Sequence, residues 1–295
     1  MTIGNNRQDY GSWLKSRLPF PIQKITVNAG MTCPNRDGTV GTDGCIFCNN
    51  ASFSPRYCQP TLTVAQQIEA GKCFFAHKHR RSRSETKFLA YFQAYTNTHA
   101  PLERLIGLYE EALAQPDVVG LIIGTRPDCM PPALLNYLKE LNRRTFLMVE
   151  YGIESANDDT LHRINRGHSF AQTCDAIRRT HESGILIGGH IILGLPGEPP
   201  EESLRQAPFI SALPLDVLKI HQLQIIRDTP LAREYAEHPF PLYTLQEYID
   251  LLKQYLSLLR PSLIIERVVS QAPSHLLIAP RWGVKNQEVM KQVLG

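Results

Sequence analysis

The sequence predicts an α/β fold in which six strand-helix units form a barrel or a partial barrel. Apolar runs typical of strands recur along the chain, and helix-like segments lie between them. Several runs, such as VVGLIIG and ILIGGHIILG, are almost continuously apolar, as expected for parallel strands covered on both faces. With 295 residues, 43% of them hydrophobic and 20% charged, the chain can bury one core of barrel size.

The predicted strands and helices alternate along the chain. We place the strands at residues 22–28, 87–94, 118–124, 146–152, 186–193 and 217–225. Capping boxes begin two helices, one at Thr63 with Gln66 and one at Ser169 with Gln172. Prolines near residues 101, 131 and 199 mark three further starts, because the missing N–H of proline is not needed in the first turn. A last core helix is expected at residues 245–259.

The loop at residues 29–60, after the first predicted strand, holds Cys33 and the C-x-x-C pair of Cys45 and Cys48. Three glycines between Cys33 and Cys45 allow the loop to fold back so that the three thiolates converge on a metal. A structural zinc site needs four protein ligands, and Cys58 is the one nearby residue that can supply the fourth. A [4Fe-4S] cluster with three cysteines instead keeps one iron open for a substrate or cofactor. Zinc, and with less support a disulfide, are the alternatives.

Composition narrows the class of protein. No window approaches the eighteen or more apolar residues that a membrane span needs, and the N-terminal segment has no uninterrupted apolar run, so we expect no membrane partner. Seven cysteines without a signal peptide predict a reducing cytoplasm and metal or catalytic use of thiols. The net charge of +3 neither demands nor excludes nucleic acid.

Polar segments follow four of the predicted strands. They read QAYTNT, GTRPDC, EYGIES and HIILGLPGE, after the second, third, fourth and fifth strands. In a barrel of parallel strands the loops after the strand ends lie on one face, and that face binds ligands. The sequence therefore predicts a site where these segments and the cysteine loop meet.

The chain resembles the radical S-adenosylmethionine (SAM) enzymes. The cysteine loop, HIILGLPGE and the INRGH stretch at residues 164–168 carry the resemblance, which covers residues 22–259. The long cysteine spacing is similar to that of the branch with the catalytic subunit of Elongator and a group of bacterial iron-sulfur oxidoreductases. The resemblance implies a partial (β/α)6 TIM-like barrel and a [4Fe-4S] cluster held by Cys33, Cys45 and Cys48.

It also implies the chemistry. SAM would bind the open iron, and an electron from a donor such as flavodoxin or ferredoxin would cleave SAM to methionine and a 5'-deoxyadenosyl radical. Phe47, inside the C-x-x-C pair, would shield the cluster and pack near the adenine, or serve as plain core packing. Gln93 and Tyr95 stand where relatives use a glycine-rich turn to bind the methionine amino group, although the glycines are absent here.

Four further residues are expected at the cofactor. Glu154 can accept hydrogen bonds from ribose hydroxyls, and Ser155 can bind beside it; alternatively, Ser155 or Asn157 caps the next helix. Arg166 can grip the methionine carboxylate through two bonds, or be a surface arginine. Gly194, in the turn after the fifth strand, would form a wall of the adenosine site.

The sequence says less about the substrate pocket: the candidates for a catalytic role are Arg126, Asp128, Cys129 and His190, and none of them is assigned that role. Polar groups expected at the barrel mouth or interior are Arg126, Asp128, Cys129, Glu150, His190, Lys219 and His221. Each can equally be a buried ion pair or a hydrogen-bonded core residue. Cys129 can act as a thiol donor or hydrogen-atom relay, or be an inert thiol. The other three cysteines, Cys58, Cys73 and Cys174, are assigned to structure.

Two segments lie outside the six units, a lead-in at residues 1–21 and an extension at residues 260–295. A basic run, HKHRRSR, at residues 77–83 lies between the first helix and the second strand. The basic run can engage phosphates or be a solvated loop. In the extension, IIERVV can add a strand, and residues 286–294 a short helix. Residues of the extension expected to close the lateral opening of a partial barrel are Arg267, Ser270, Arg281 and Trp282.

Three functional hypotheses follow. The first is a radical enzyme that modifies RNA, above all a wobble uridine of tRNA, because the resembling branch contains tRNA-modifying members. The second is a radical enzyme that acts on a small metabolite or a protein partner. The third is a non-catalytic iron-sulfur or zinc protein that binds a partner.

Overall fold

The computed structural model describes residues 7–76 and 85–294. The basic run at residues 77–83 lies outside these ranges, so the expectations attached to it stay predictions. Seven parallel strands form the main sheet: β1 (Ile22–Val27), β2 (Lys87–Phe92), β3 (Val118–Thr125), β4 (Phe146–Glu154), β5 (Leu186–Leu193), β6 (Val217–Gln222) and β8 (Ile264–Arg267). Two short strands, β7 (Ile225–Ile226) and β9 (Leu277–Ala279), pair antiparallel outside it.

Ten α-helices occur in the described ranges. They are α1 (Tyr10–Arg17), α2 (Val64–Phe75), α3 (Leu102–Leu113), α4 (Pro132–Leu141), α5 (Asp158–Arg163), α6 (Phe170–Glu182), α7 (Pro200–Ala212), α8 (Pro230–Glu237), α9 (Leu245–Leu258) and α10 (Asn286–Leu294). The two predicted capping boxes are present, and a third begins α9 at Thr244. No helix within the described residues has the length and apolar character that crossing a bilayer requires.

The sheet follows the chain order β1-β2-β3-β4-β5-β6-β8 and curls into a partial barrel. The curl is visible in one contact, because Lys24 on the first strand reaches Glu266 on the last at 2.7 Å. All six predicted strands are present, and the IIERVV segment supplies the seventh. The sixth is shorter than predicted, since Ile225 and Ile226 leave the sheet to pair with β9.

Two apolar layers hold the barrel. The larger lies between the sheet and the surrounding helices, where side chains such as Ile123, Ile187 and Leu252 are fully buried. The smaller lies inside the barrel at the amino ends of the strands, where Trp13 and Leu14 of α1 pack against strand residues. Helix α1 therefore closes one end of the barrel, and the opposite end carries the site.

Candidate cofactor and substrate site

One cavity of about 400 Å³ opens at the carboxyl ends of the strands. At one end it is lined by the three thiols of Cys33, Cys45 and Cys48. At the other end it is lined by polar side chains from the strands, namely Lys24, Tyr91, Glu150, His190, Lys219, His221 and Glu266. Of the seven residues predicted to bind the cofactor, five line this cavity: Phe47, Gln93, Tyr95, Glu154 and Arg166.

The cysteine loop folds back on itself through its glycines. A Cβ atom at Gly41 would lie 2.6 Å from the side-chain oxygen of Asn35, and one at Gly44 would lie 2.8 Å from the guanidinium carbon of Arg36. Gly44 also has φ +73°, a conformation that other residues rarely adopt. The glycines are thus required by close approach and backbone shape, in accord with the sequence prediction.

The INRGH stretch holds the loop in place. The backbone N–H of Ile46 donates to the carbonyl oxygen of Ile164 at 3.0 Å, and the side chain of Asn165 donates to the carbonyl oxygen of Gly44 at 2.7 Å. These bonds join the cysteine loop to the segment that follows α5. Cys45 and the residues after it therefore have a fixed position relative to Arg166.

Polar groups surround the thiols. The Arg166 Nη1 atom lies 3.6 Å from Cys45 Sγ, and the Asn50 side-chain nitrogen lies 3.9 Å from Cys48 Sγ. Burial raises the pKa of the Cys48 thiol to about 11, Cys45 adds to the rise, and the Arg36 guanidinium opposes it. Guanidinium and amide donors stabilise the thiolate form of a cysteine, so at these distances they oppose the effect of burial.

The available donors bear on which metal centre the cysteine loop can hold. In the described part of the chain, no three His, Cys, Asp or Glu side chains converge as ligands of one ion do. A four-iron cube binds each cysteine through a different iron, so its thiolates are spread around the cluster. Cys58, the predicted candidate for a fourth zinc ligand, is buried and does not line the cavity. The donor set therefore fits a [4Fe-4S] cluster better than a closed zinc site.

Arg166 is buried beside the cluster loop, with 7% of its surface exposed. It donates to the carbonyl oxygen of Gly152 at 2.7 Å and lies 3.4 Å from the Glu154 carboxylate. Its Nε is buried and has no hydrogen-bond partner among the described residues. An unsatisfied guanidinium N–H at a cavity wall suits the carboxylate of a bound ligand. The surface-arginine alternative does not fit this burial.

Two lining residues have left-handed backbones. Tyr95 has φ +61° and Glu154 has φ +66°. The Tyr95 N–H donates to the side chain of Asn50 at 3.0 Å, which ties the turn after β2 to the cysteine loop. The sequence lacks glycine here, yet Tyr95 adopts the backbone shape that glycine favours.

Ser155 and Gly194 lie away from this cavity. Ser155 is buried and donates to Glu198 and, at 3.0 Å, to Gln206. Asn157, not Ser155, caps α5. Gly194, with φ +84°, faces Tyr243 at the edge of a second cavity of about 590 Å³. Cofactor contacts by Ser155 and Gly194 stay predictions.

The four catalytic candidates divide in the same way. Arg126 and His190 line the cavity, whereas Asp128 and Cys129 do not. Asp128 accepts two hydrogen bonds from Arg126, at 2.9 and 2.8 Å, so its visible role is to hold that guanidinium. Burial raises the pKa of the Cys129 thiol to about 12, and Asp128 adds to the rise.

The centre of the polar end is the Glu150 carboxylate, which is 1% exposed. It accepts hydrogen bonds from Tyr91 at 2.6 Å and from Lys219 at 2.8 Å, and His190 Nε2 lies 2.9 Å away. The rings of His190 and His221 stack, with centroids 5.4 Å apart. Glu150 therefore orients the groups that face the cavity.

Sequence analysis missed three members of this cluster, Lys24, Tyr91 and Glu266. Each lies two residues from an apolar side chain of the inner layer (Ile22, Leu89 and Ile264), in the alternating phase that faces the barrel interior. This alternation was the signal in the sequence that could have identified the three residues. Arg36 and Asn50 beside the thiols carried no comparable signal, because loop residues have no periodicity.

Comparison with known proteins gives matches along the chain. The sequence pattern of the Radical SAM superfamily matches residues 32–205, and that of the Radical_SAM C-terminal domain matches residues 215–295. Protein YhcC of Escherichia coli (strain K12) is 35% identical over 274 residues, which cover 92% of this chain and 86% of that protein. The tRNA uridine(34) acetyltransferase of Dehalococcoides mccartyi is 27% identical over 186 residues, covering 61% of this chain and 39% of that protein.

A solved structure has the same architecture. The archaeal Elp3 of Methanocaldococcus infernus, with an N-terminal deletion, superposes with a TM-score of 0.67 at 19% sequence identity. The superposition covers 92% of this chain and 63% of that chain, so the chain spans less than two thirds of the Elp3 structure. At this identity the likeness concerns the fold, and it confirms the predicted partial barrel.

Proposed function

The chain belongs to the radical SAM superfamily, and from this premise we propose that it cleaves SAM reductively to modify a wobble uridine of tRNA. The family is one of enzymes whose cofactors are a [4Fe-4S] cluster and SAM. When bound, these cofactors supply a 5'-deoxyadenosyl radical that abstracts hydrogen from the substrate. The steps assigned to this chain are to hold, orient and enclose the reactants.

One observation carries the proposal. The thiols of Cys33, Cys45 and Cys48 open into the same cavity as the polar groups of Glu150 and Lys219. A radical generated at the thiols would meet a substrate bound at these polar groups within one cavity of about 400 Å³. A bound substrate that fills the cavity would exclude competing partners for the radical.

The residues divide the task as follows. The three cysteines would hold the cluster, and Arg166, with its unsatisfied Nε, would bind the carboxylate of SAM. Glu154 would accept hydrogen bonds from the ribose hydroxyls, and the turn at Gln93 and Tyr95 would receive the amino group. Phe47, half-buried at the cavity wall, would cover the cluster and the adenine.

Support for tRNA comes from the relative named for uridine 34. The match covers 39% of that protein, so acetyl transfer is not inferred for this chain, and the proposal concerns the radical step alone. We also propose a flavodoxin or ferredoxin as electron donor. The unpaired state of all seven cysteines fits the reducing cytoplasm that such donors share.

The experiment compares modified nucleosides of total tRNA from cells with and without the gene. A nucleoside present only with the gene, restored by the wild-type chain and by Cys58→Ala but not by Cys45→Ala, is the expected result. An unchanged nucleoside profile would contradict the tRNA substrate and favour a small metabolite or a protein. Stoichiometric zinc, with no 5'-deoxyadenosine released from SAM under reductant, would overturn the enzymatic proposal and favour a metal-binding interaction protein.

A further inference from the structure

The strand β8 places an arginine without a partner at the polar end of the cavity. Arg267 lines the cavity and forms no hydrogen bond or ion pair with any residue of the ranges 7–76 and 85–294. The two ammonium groups nearby are already paired: Lys219 with Glu150 and Glu266, and Lys24 with Glu266. One permanent positive charge is therefore left for a ligand.

A second unsatisfied group lies beside it. The Nε2 atom of His221 is buried and lacks a hydrogen-bond partner among the described residues. Burial lowers the pKa of His221 well below its usual value, and the neighbouring charges of His190, Arg267 and Lys219 lower it further. His221 is therefore a neutral imidazole, which can donate one N–H bond. Arg267 is the β8 partner of Lys219 on β6, and His221 follows Lys219 by two residues on β6, so both side chains line the same part of the cavity wall.

From these two groups we infer an oxyanion subsite: Arg267 and His221 bind a phosphate or carboxylate group of the substrate. The inference rests on the proposed function, since it concerns the molecule that receives the radical. A guanidinium fork matches two oxygens of either group, and an imidazole N–H matches a third contact. The sequence analysis placed Arg267 at the lateral opening of the barrel, and the subsite gives it a role in substrate specificity there.

The position of the subsite also orients the substrate. Arg267 is exposed and stands at the end of β8, an edge strand of the open sheet. The thiols lie at the other end of the same cavity. The anionic group therefore sits at the open side of the barrel, and the part of the substrate that reacts extends toward the cluster. A nucleotide fits this arrangement with its phosphate outside and its base inside.

The test measures ligand binding rather than turnover. Cluster-loaded protein with SAM is titrated anaerobically with uridine and with uridine 5'-monophosphate by calorimetry. The wild-type chain should bind the monophosphate roughly tenfold more tightly, as expected for one charge-assisted pair of bonds. Arg267→Gln should remove this preference and leave uridine binding unchanged, while Arg267→Lys should retain part of it. Arg143→Gln, on an exposed arginine that forms an ion pair with Glu140, is the matched control.

Inorganic phosphate and malonate distinguish the two anion types. Competition by phosphate that depends on Arg267 supports a nucleotide phosphate. Arg267-dependent binding of malonate but not of phosphate supports the subsite and counts against the tRNA substrate. Equal affinity for uridine and its monophosphate, with no Arg267-dependent binding of either anion, overturns the subsite. The tRNA comparison above is unaffected by that outcome, so the two proposals can fail separately.

Discussion

The Lys24 ammonium lies 2.7 Å from the Glu266 carboxylate, although the two residues belong to opposite edges of the sheet, β1 and β8. Lys219 lies 3.5 Å from the same Glu266 oxygen. The partial barrel therefore closes through side chains at this level, since the strand pairings within the described ranges leave β1 and β8 as separate edges. This contact, together with α1 at the amino ends of the strands, fixes the positions of the polar side chains that line the cavity.

We predict that this pair couples energetically. In a double-mutant cycle of Lys24→Gln and Glu266→Gln, the interaction energy should be about 1 kcal/mol, because the pair is largely but not fully buried. Urea unfolding of the metal-free chain measures it. The exposed pair of Arg143 and Glu140 is the control and should couple by less than about 0.5 kcal/mol. Equal coupling in the two cycles would show that the edges are held by other contacts.

A second prediction concerns the Glu150 carboxylate. Burial alone would raise the pKa of Glu150, but Lys219 and His190 outweigh it and hold this pKa well below its usual range. Glu150→Gln leaves Lys219, whose side chain is 5% exposed, without its closest charged partner. We expect a loss of about 3 kcal/mol in the free energy of unfolding at neutral pH, as for other broken buried pairs.

The pH dependence of this effect has a definite sign. A carboxylate with a lowered folded-state pKa stabilises the protein above its unfolded pKa of about 4.3, and the stabilisation is lost as the pH falls toward the folded value. The difference in unfolding free energy between wild type and Glu150→Gln should therefore shrink below about pH 4. Glu140→Gln, on an exposed helix position, serves as the control. A difference that stays constant down to pH 3 would exclude the proposed charge on Glu150.

The sequence was sufficient for the parts of the site that depend on local pattern. The cysteine loop and the polar segments after the strands predicted one site at the carboxyl ends of the strands, and residues from these segments line one cavity there. The family resemblance added Arg166, which lies 3.6 Å from Cys45 Sγ. Strand and helix positions followed from apolar periodicity and capping boxes. Predicting these features requires no information about contacts between distant segments of the chain.

Other features of the site depend on how the sheet curls, and local sequence patterns do not predict that curl. The contact of Lys24 with Glu266 joins residues 242 positions apart, and neither residue type indicates the other. Helix α1 was not predicted because only Trp13 and Leu14 of its residues are buried, too few for a visible period. Tyr95 shows a third limit, since its left-handed backbone is imposed by the surrounding contacts and not by its own preference.

The cysteine assignment gives the third prediction. Anaerobically reconstituted wild-type chain should hold about four irons, and Ala at position 33, 45 or 48 should abolish the cluster signal in absorption and electron paramagnetic resonance. Cys58→Ala is the matched control, because Cys58 is a thiol of the same loop but does not line the cavity. Loss of iron in Cys58→Ala, or its retention in Cys48→Ala, would mean that the ligand set is wrong.

The last prediction compares two glycines. A Cβ atom at Gly152 would lie 2.6 Å from both Arg166 Nη2 and Glu154 Oε1, whereas nothing lies within 4 Å of one at Gly107 on α3. Gly152→Ala should therefore displace Arg166 and weaken SAM binding by on the order of tenfold, equivalent to about 1.4 kcal/mol. Gly107→Ala should leave SAM binding unchanged and stabilise the chain by about 0.5–1 kcal/mol, because alanine favours the helix. Anaerobic SAM titration and urea unfolding measure the two effects. Unchanged SAM affinity in Gly152→Ala, with the cluster intact, would remove Arg166 from the cofactor site.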